Sequence, residues 1–542
     1  MSGRAAADPC LRLLTDLGLA GLSGLLLLLS FPKFDLSLLA WIGLVPLLVA
    51  LEGRGAGAAF LLANVSGLVF FVGIFAWIFQ VPAYNLLDEV ALALYLAQFF
   101  SLWGLGLSWL RARTGLPAAV IAPPLWVAME YLRTHAGFLS LPWMFLGHSQ
   151  YGSPTLIQVA SMTGVFGLSF LIVLVNAAAA QAIPWLARRP AHLTDVRAWS
   201  RGLPASLLVA GGLLALTVIY GRTVLSTEPD GERLRVAVVQ GNVPQAVKWD
   251  RRYREATLER YAALTREVAR ERPTLIVWPE TAVPGDLLHD EALFSAISAL
   301  AVEMRTHLLV GTSENAKFTR KDLGGRSYNS MVLLTPEGRV VSTYHKIELV
   351  PFGEYEPLRG IVTWPAAIVS TMGNSAAGDE YTLFRIGAAT VATTICWENI
   401  FPDLVREFVR LGARLVINAT NEAWFGETAA AYQFLAISVF RAAENRVAVV
   451  RSANTGISAV IDPYGRITQR LRDRDGRELF VAGTLTAAVP LASTTTFYTT
   501  YGDVFAFVQI AACGMLLVYT AVPRRRRAMG SLEPVTPIRD LH

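Results

Sequence analysis

The stretch Val391-Ala392-Thr393-Thr394-Ile395-Cys396-Trp397-Glu398-Asn399, with Pro402 three residues on, decides how this chain is read. Its β-branched run reads as a strand, and Pro402 marks where the chain turns into a helix. Cys396 stands between the two, at a strand end. In open α/β sheets reactive groups gather at such ends, and a cysteine there can have its thiolate stabilised by a helix N-terminus and a nearby cation. Taken alone, a single cysteine in a strand is ordinarily a small hydrophobe, so its neighbours must decide.

Working outward, Leu234–Val239, Leu275–Trp278, Leu308–Val310, Arg414–Asn418, Ala448–Arg451 and Ser458–Ile461 read as further strands. Met331–Leu334 and Val340–Tyr344 form a hairpin about Pro336-Glu337-Gly338. Arg251–Glu271 carries Tyr253, Leu258, Tyr261, Leu264 and Val268 at helical intervals. Strands alternating with helices make residues 232–490 an α/β domain. Two more charged side chains sit where its strands end: Glu280, after Trp278-Pro279, and Lys346, after the hairpin. A carboxylate can take the thiol proton and an ammonium can stabilise developing negative charge, so a Cys–Glu–Lys set supports acyl transfer with no histidine.

Outside that domain the composition changes. The chain is 53% hydrophobic and only 16% charged, against about a quarter charged in soluble domains. Apolar runs near 14–31, 37–51, 57–80, 89–110, 116–133, 157–186, 204–221 and 502–522 approach the roughly 20 residues that cross a bilayer, giving about eight spans. The segments at 37–51 and 116–133 are short or interrupted by Pro46, Pro123 and Pro124, which leaves a re-entrant or interfacial placement open. The predicted organisation is a membrane domain over 1–225, the catalytic domain over 232–490, a last span over 500–522 and a basic tail over 523–542. Arg4, Arg12, Arg54, Arg111, Arg113, Arg188, Arg189, Arg197, Arg201 and Arg524–Arg527 fall on one side of these spans. By the positive-inside rule that side is cytoplasmic and the α/β domain faces out. The Arg524–Arg527 run then reads as a lipid anchor rather than a nucleic-acid patch. The first apolar stretch runs on into Phe31-Pro32-Lys33 and further spans, unlike a cleaved signal peptide. Three widely spaced cysteines, Cys10, Cys396 and Cys513, fit neither a disulfide framework nor a CxxC zinc site, and no metal or cofactor motif is present.

The blocks Trp278-Pro279-Glu280-Thr281, His345-Lys346 through Pro351-Phe352-Gly353-Glu354-Tyr355, and Ile395-Cys396-Trp397-Glu398 are similar, in order and separation, to the three signature segments of the nitrilase superfamily. With its spans, the whole chain resembles the membrane-anchored N-acyltransferase branch. The resemblance implies a polytopic α-helical membrane protein bearing an αββα sandwich. It implies Glu280 as general base, Lys346 as oxyanion-stabilising cation, Cys396 as nucleophile and Glu354 as the second glutamate orienting them. Trp397 and Glu398 would line the site, Asn329 would support it, and Trp249, in the block Gln240–Asp250, would lie on a mobile arm near the acyl chain. The implied substrates are a glycerophospholipid acyl donor, phosphatidylethanolamine foremost, and a diacylated apolipoprotein acceptor, met at the bacterial cytoplasmic (inner) membrane on its periplasmic face. The segments 362–369 and 423–425 are candidate membrane-dipping arms. Two rivals remain: a membrane-tethered amidase using water as second nucleophile, and a transporter or scaffold. The latter is disfavoured because ionisable residues within spans are few, Asp16 and Glu130 among them.

Overall fold

A computed structural model describes residues 9–81, 84–187, 205–228, 231–248, 250–316, 325–363 and 372–521. The basic tail, Trp249, the arginines at 188–201 and most of the proposed arm at 362–369 lie outside the described residues. The apolar runs form helices α1 (Pro9–Leu29), α2 (Ala56–Phe75), α3 (Leu86–Thr114), α4 (Ala118–Thr134), α5 (Val165–Ala187) and α6 (Ala205–Leu225). Among the described residues six helices are long and apolar enough to cross a membrane, the last being Val504–Ala521 near the C-terminus.

The remaining two segments differ from full spans for physical reasons. Residues 37–50 break into a 3-10 turn and two short helices, Ala40–Gly43 and Val45–Ala50. Backbone groups freed by a break need partners where water is scarce. Asn176 of α5 supplies them: its amide donates to the Ala40 carbonyl at 2.9 Å and its oxygen accepts from the Leu44 N–H at 2.8 Å. Helix α4 is 17 residues long with Pro123 and Pro124 inside it. The expected span at 157–186 begins only at Val165, because Gly164 (φ +61°) separates it from two single-turn helices.

Among the described residues the α/β domain holds twelve strands in two six-stranded sheets. They are β1 (Arg233–Gln240), β2 (Leu275–Val277), β3 (His307–Asn315), β4 (Ser327–Leu334), β5 (Val340–His345), β6 (Leu383–Ile386), β7 (Ala389–Ile395), β8 (Leu415–Thr420), β9 (Ala448–Ala453), β10 (Ala459–Ile461), β11 (Ile467–Arg470) and β12 (Gly483–Pro490). Sheet one runs β12-β1-β2-β3-β4-β5 and sheet two β11-β10-β9-β8-β7-β6. In each, three central strands are parallel (β1-β2-β3 and β7-β8-β9) and the outer pairings are antiparallel.

Alternation of side chains explains the layers. On β2, Leu275 and Val277 point between the sheets, against Val391, Ile395 and Ile417 in one core, while Ile276 and Trp278 point outward. The outward set packs under α7 (Arg254–Ala269) and α8 (Glu291–Met304), through Tyr261, Ile297 and Leu300. The outer face of sheet two is covered by α9 (Pro402–Arg410) and α10 (Ala430–Asn445). The result is an αββα sandwich. Helix α10 is almost wholly buried because its far side meets the membrane helices. There Gln433 accepts from the indole N–H of Trp77 (3.1 Å) and of Trp143 (2.8 Å) and donates to the Ile74 carbonyl (3.0 Å). The last membrane helix, α11 (Val504–Ala521), leaves the domain beside α4.

Candidate active site

Glu280 lies just past β2. Thr281 after it takes a left-handed φ of +46°, and a Cβ on Gly311 of β3 would run into the Pro279 carbonyl and the Thr281 amide. A glycine is therefore required beside this turn. The carboxylate is 7% exposed and takes one hydrogen bond from each sheet. Asn329 of β4 donates its amide to Oε1 at 2.7 Å, and the backbone N–H of Asn421, just past β8, donates to Oε2 at 2.8 Å.

Lys346 follows β5, its N–H donating to the Asn329 carbonyl at 2.9 Å. Its ammonium is 1% exposed and donates to Glu354 Oε1 at 2.8 Å, while Glu354 Oε2 accepts from the Val350 N–H at 2.8 Å. Burial works against this charge. The carboxylates of Glu354 and Glu280, with Cys396, outweigh it and raise the lysine pKa, which favours the ammonium.

Cys396 opens a five-residue 3-10 turn, Cys396–Ile400, at the end of β7. Its φ is +53°, a conformation that costs an L-residue roughly 1–2 kcal/mol. Asn418 of β8 donates to the Cys396 carbonyl at 3.3 Å, and Arg451 of β9 donates to Asn418 Oδ1 at 2.9 Å while pairing with Glu422. Dense surroundings push the thiol up to about 12. Glu280 adds to that rise, and the Lys346 ammonium and Thr420 hydroxyl oppose it. The neutral thiol is therefore the favoured resting form of Cys396.

Glu398 stands two residues after Cys396. It is fully buried and accepts four hydrogen bonds: from the Tyr344 hydroxyl (2.6 Å), from the N–H groups of Ile347 (2.6 Å) and Glu348 (3.1 Å), and from that of Ile395 (2.6 Å). These flank Lys346 on one sheet and Cys396 on the other, so one carboxylate sets their spacing. Burial raises its pKa to about 7 against those donors. Trp397 is half-buried with its ring 5.7 Å from Phe401.

Sequence reasoning gave no role to Lys248. It ends a short helix, Gln245–Lys248, is 4% exposed, and donates from Nζ to the Glu280 carbonyl at 2.9 Å. Burial lowers its pKa to about 8, with Glu280 and Cys396 pulling the other way. A lysine between Val247 and Trp249, in an otherwise apolar step, was the available signal. The turn Glu422–Phe425, which follows Asn421, leads from the site to the membrane helices. Phe425 meets Trp77 edge-on at 4.8 Å, and Trp424 is 43% exposed.

A two-sheet α/β sandwich in which Glu280, Lys346 and Cys396 converge, set on apolar helices, defines a membrane-tethered enzyme of the carbon–nitrogen hydrolase class. Residues 235–498 match the family described as Carbon-nitrogen hydrolase, and residues 23–178 match the Apolipoprotein N-acyltransferase N-terminal domain. Apolipoprotein N-acyltransferase of Geobacter metallireducens is 37% identical over 95% of this chain and 96% of its own length. That of Chlorobaculum tepidum is 31% identical over 93% and 96%. A solved amidase of the nitrilase superfamily from Nesterenkonia AN1 aligns over 48% of this chain and 92% of its own at 17% identity, with a TM-score of 0.36. The chain belongs to the apolipoprotein N-acyltransferase family.

Proposed function

We propose that this protein moves an acyl chain from a glycerophospholipid, phosphatidylethanolamine foremost, to the α-amine of the S-diacylglyceryl-cysteine of apolipoproteins, through a thioester on Cys396. In the first half, Glu280 takes the thiol proton as Sγ attacks the ester carbonyl carbon. Negative charge gathers on the carbonyl oxygen, where the Lys346 ammonium stabilises it. The carbon–oxygen ester bond then breaks, and the lysophospholipid leaves with the proton from Glu280. In the second half, the acceptor amine attacks the thioester, Glu280 takes a proton from it, and the carbon–sulfur bond breaks to return the thiol and an amide. Glu354 orients Lys346, Asn329 orients Glu280, and Trp397 and Glu398 complete the surround. Lys248 adds a second positive charge near the reacting atoms. The domain lies outside the cytoplasmic membrane, where both lipid substrates are anchored and confinement raises their effective concentration.

The observation that supports a lipid donor over a small soluble amide is the continuity of the site with the membrane helices. Asn421 bonds Glu280, and four residues later Phe425 packs on Trp77. The test is incubation of the purified protein with labelled phospholipid and a diacylated lipopeptide. N-acylated peptide and lysophospholipid are expected in equal amounts, with no peptide product from the lipopeptide alone. Free fatty acid formed at the same rate with and without acceptor would instead mark a hydrolase.

A further inference from the structure

Where the last membrane helix leaves the catalytic domain, three side chains from separate parts of the chain meet. His135 caps α4, Asp403 stands in the first turn of α9, and Asp503 immediately precedes α11. One ligand atom from each lies within 4.8 Å of the others. His135 has acceptors at both ring nitrogens: Nδ1 is 3.0 Å from the Tyr131 carbonyl, and Nε2 is 3.1 Å from Asp403 Oδ2. A neutral imidazole carries one N–H. With that hydrogen on Nδ1, the Nε2 lone pair faces a carboxylate oxygen, and a positive charge must sit between them. Stacking on Tyr131, with ring centroids 4.1 Å apart, holds the imidazole in this plane.

Asp503 supplies the independent observation. It is 6% exposed, and its Oδ1 has no hydrogen-bond partner among the described residues, although buried carboxylate oxygens are costly to leave bare. A second proton on the imidazole answers the first two acceptors and leaves Asp503 Oδ1 unanswered. With the Nδ1 hydrogen kept for the Tyr131 carbonyl, a cation at the centre answers the Nε2 lone pair and both carboxylates.

We propose that His135 Nε2, Asp403 and Asp503 form a divalent-cation site of the zinc class, with water completing the shell. One imidazole and two carboxylates suit Zn²⁺ or Mn²⁺ better than the all-oxygen shells of Ca²⁺ and Mg²⁺. The Tyr131 carbonyl accepting from Nδ1–H is the outer-shell partner that a metal-bound histidine ordinarily has. Two cations lie close. Arg441 is committed to Glu444 at 2.8 Å. Arg406 Nε is 3.8 Å from Asp403 Oδ1 and its Nη1 donates to the Thr499 carbonyl at 3.2 Å. Arg406 shares Asp403 with the metal, so binding is weaker than at a closed structural zinc site. The ion fastens α4 and α11 to α9, the helix that follows the Cys396 turn.

The full-length protein, purified in detergent and stripped with EDTA, is titrated with ZnCl₂ alone. Retained metal is counted by mass spectrometry after desalting, and thermal unfolding is followed in parallel. About one Zn²⁺ per chain and a raised Tm are expected. Asp503→Asn, which keeps the side-chain shape, and His135→Ala should each weaken binding at least about tenfold and erase the Tm shift. Cys396→Ala should retain the ion, placing it away from the reactive thiol. Zinc retained equally by wild type and Asp503→Asn, or by neither, overturns the proposal. In the second case a proton on His135 supplies the positive charge.

Discussion

Sheet one and sheet two of the catalytic domain share one plan, three parallel strands flanked by antiparallel ones, yet they end in different chemistry. Sheet one delivers the ionisable side chains: Glu280 after β2 and Lys346 after β5, with Lys248 beside them. Sheet two delivers a neutral thiol on a left-handed backbone, braced through Asn418 and Arg451. Neither half is a site alone. Glu280 takes one hydrogen bond from each sheet, and Glu398 binds N–H groups on both. The reactive geometry therefore belongs to the packing between the sheets, and substitutions can remove one contribution while leaving the other in place.

The largest effect comes from removing what sheet two brings. Cys396→Ala should abolish lysophospholipid release and N-acylation together, with Tm within a few degrees of wild type, because only one sulfur atom is lost. Intact-mass spectrometry should find no acyl adduct; an adduct on this variant would show that the thiol is not the carrier. Removing the proposed base on sheet one is the next largest. Glu280→Gln keeps an oxygen for the Asn421 N–H but cannot take a proton at neutral pH, so single-turnover lysophospholipid release should slow by about 10²–10⁴-fold. An unchanged rate would transfer the role of base elsewhere.

Glu398→Gln cuts the tie between the sheets. Its amide nitrogen would face N–H donors now satisfied by a carboxylate, costing about 1–3 kcal/mol and lowering Tm. The acylation rate should fall less than in Glu280→Gln, because no reacting group is removed. A rate loss as large, at unchanged Tm, would make Glu398 a chemical participant.

The contrast between the sheets also explains what the sequence made legible. Strand ends announce themselves by β-branched runs stopping at a charged or reactive residue, which marked Glu280, Lys346 and Cys396 at β2, β5 and β7, while only the resemblance of their surrounding blocks gave them roles. The flanking strands β6, β11 and β12 lacked a comparable signal. Leu383–Ile386 and Ile467–Arg470 are four residues each and mix apolar with charged side chains. Helix α10 escaped notice because, buried on nearly all sides, it has no polar face to set a period. The bracing role of Glu398 was hidden for another reason. Its partners Tyr344, Ile347 and Ile395 are distant in sequence or are backbone groups, and no spacing rule reaches them. The break at residues 37–50 was foreseeable from Pro46, whereas its repair by Asn176 required the packed helices.

The last effect, on stability and not on rate, sets the two sheets against each other as pH rises. Lys248 has its folded pKa lowered from 10.5 to about 8, chiefly by burial. Below pH 8 it is charged in both states, and burying that charge costs the fold roughly 3 kcal/mol. Between about 8 and 10.5 the unfolded chain holds a proton that the folded one lacks, so stability rises with pH. Cys396 behaves oppositely. Its pKa is raised from 9.0 to about 12, so the stability it contributes is full below pH 9 and is lost as pH climbs towards 12. Lys346, raised above 10.5, loses its contribution only beyond that value. Tm measured from pH 7 to 10 in the Cys396→Ala background should therefore climb above pH 8. Adding Lys248→Met should flatten the climb and raise Tm at pH 7, less about 1 kcal/mol for the lost bond to the Glu280 carbonyl. Parallel profiles with and without Lys248 would mean that its ammonium is not held between the sheets.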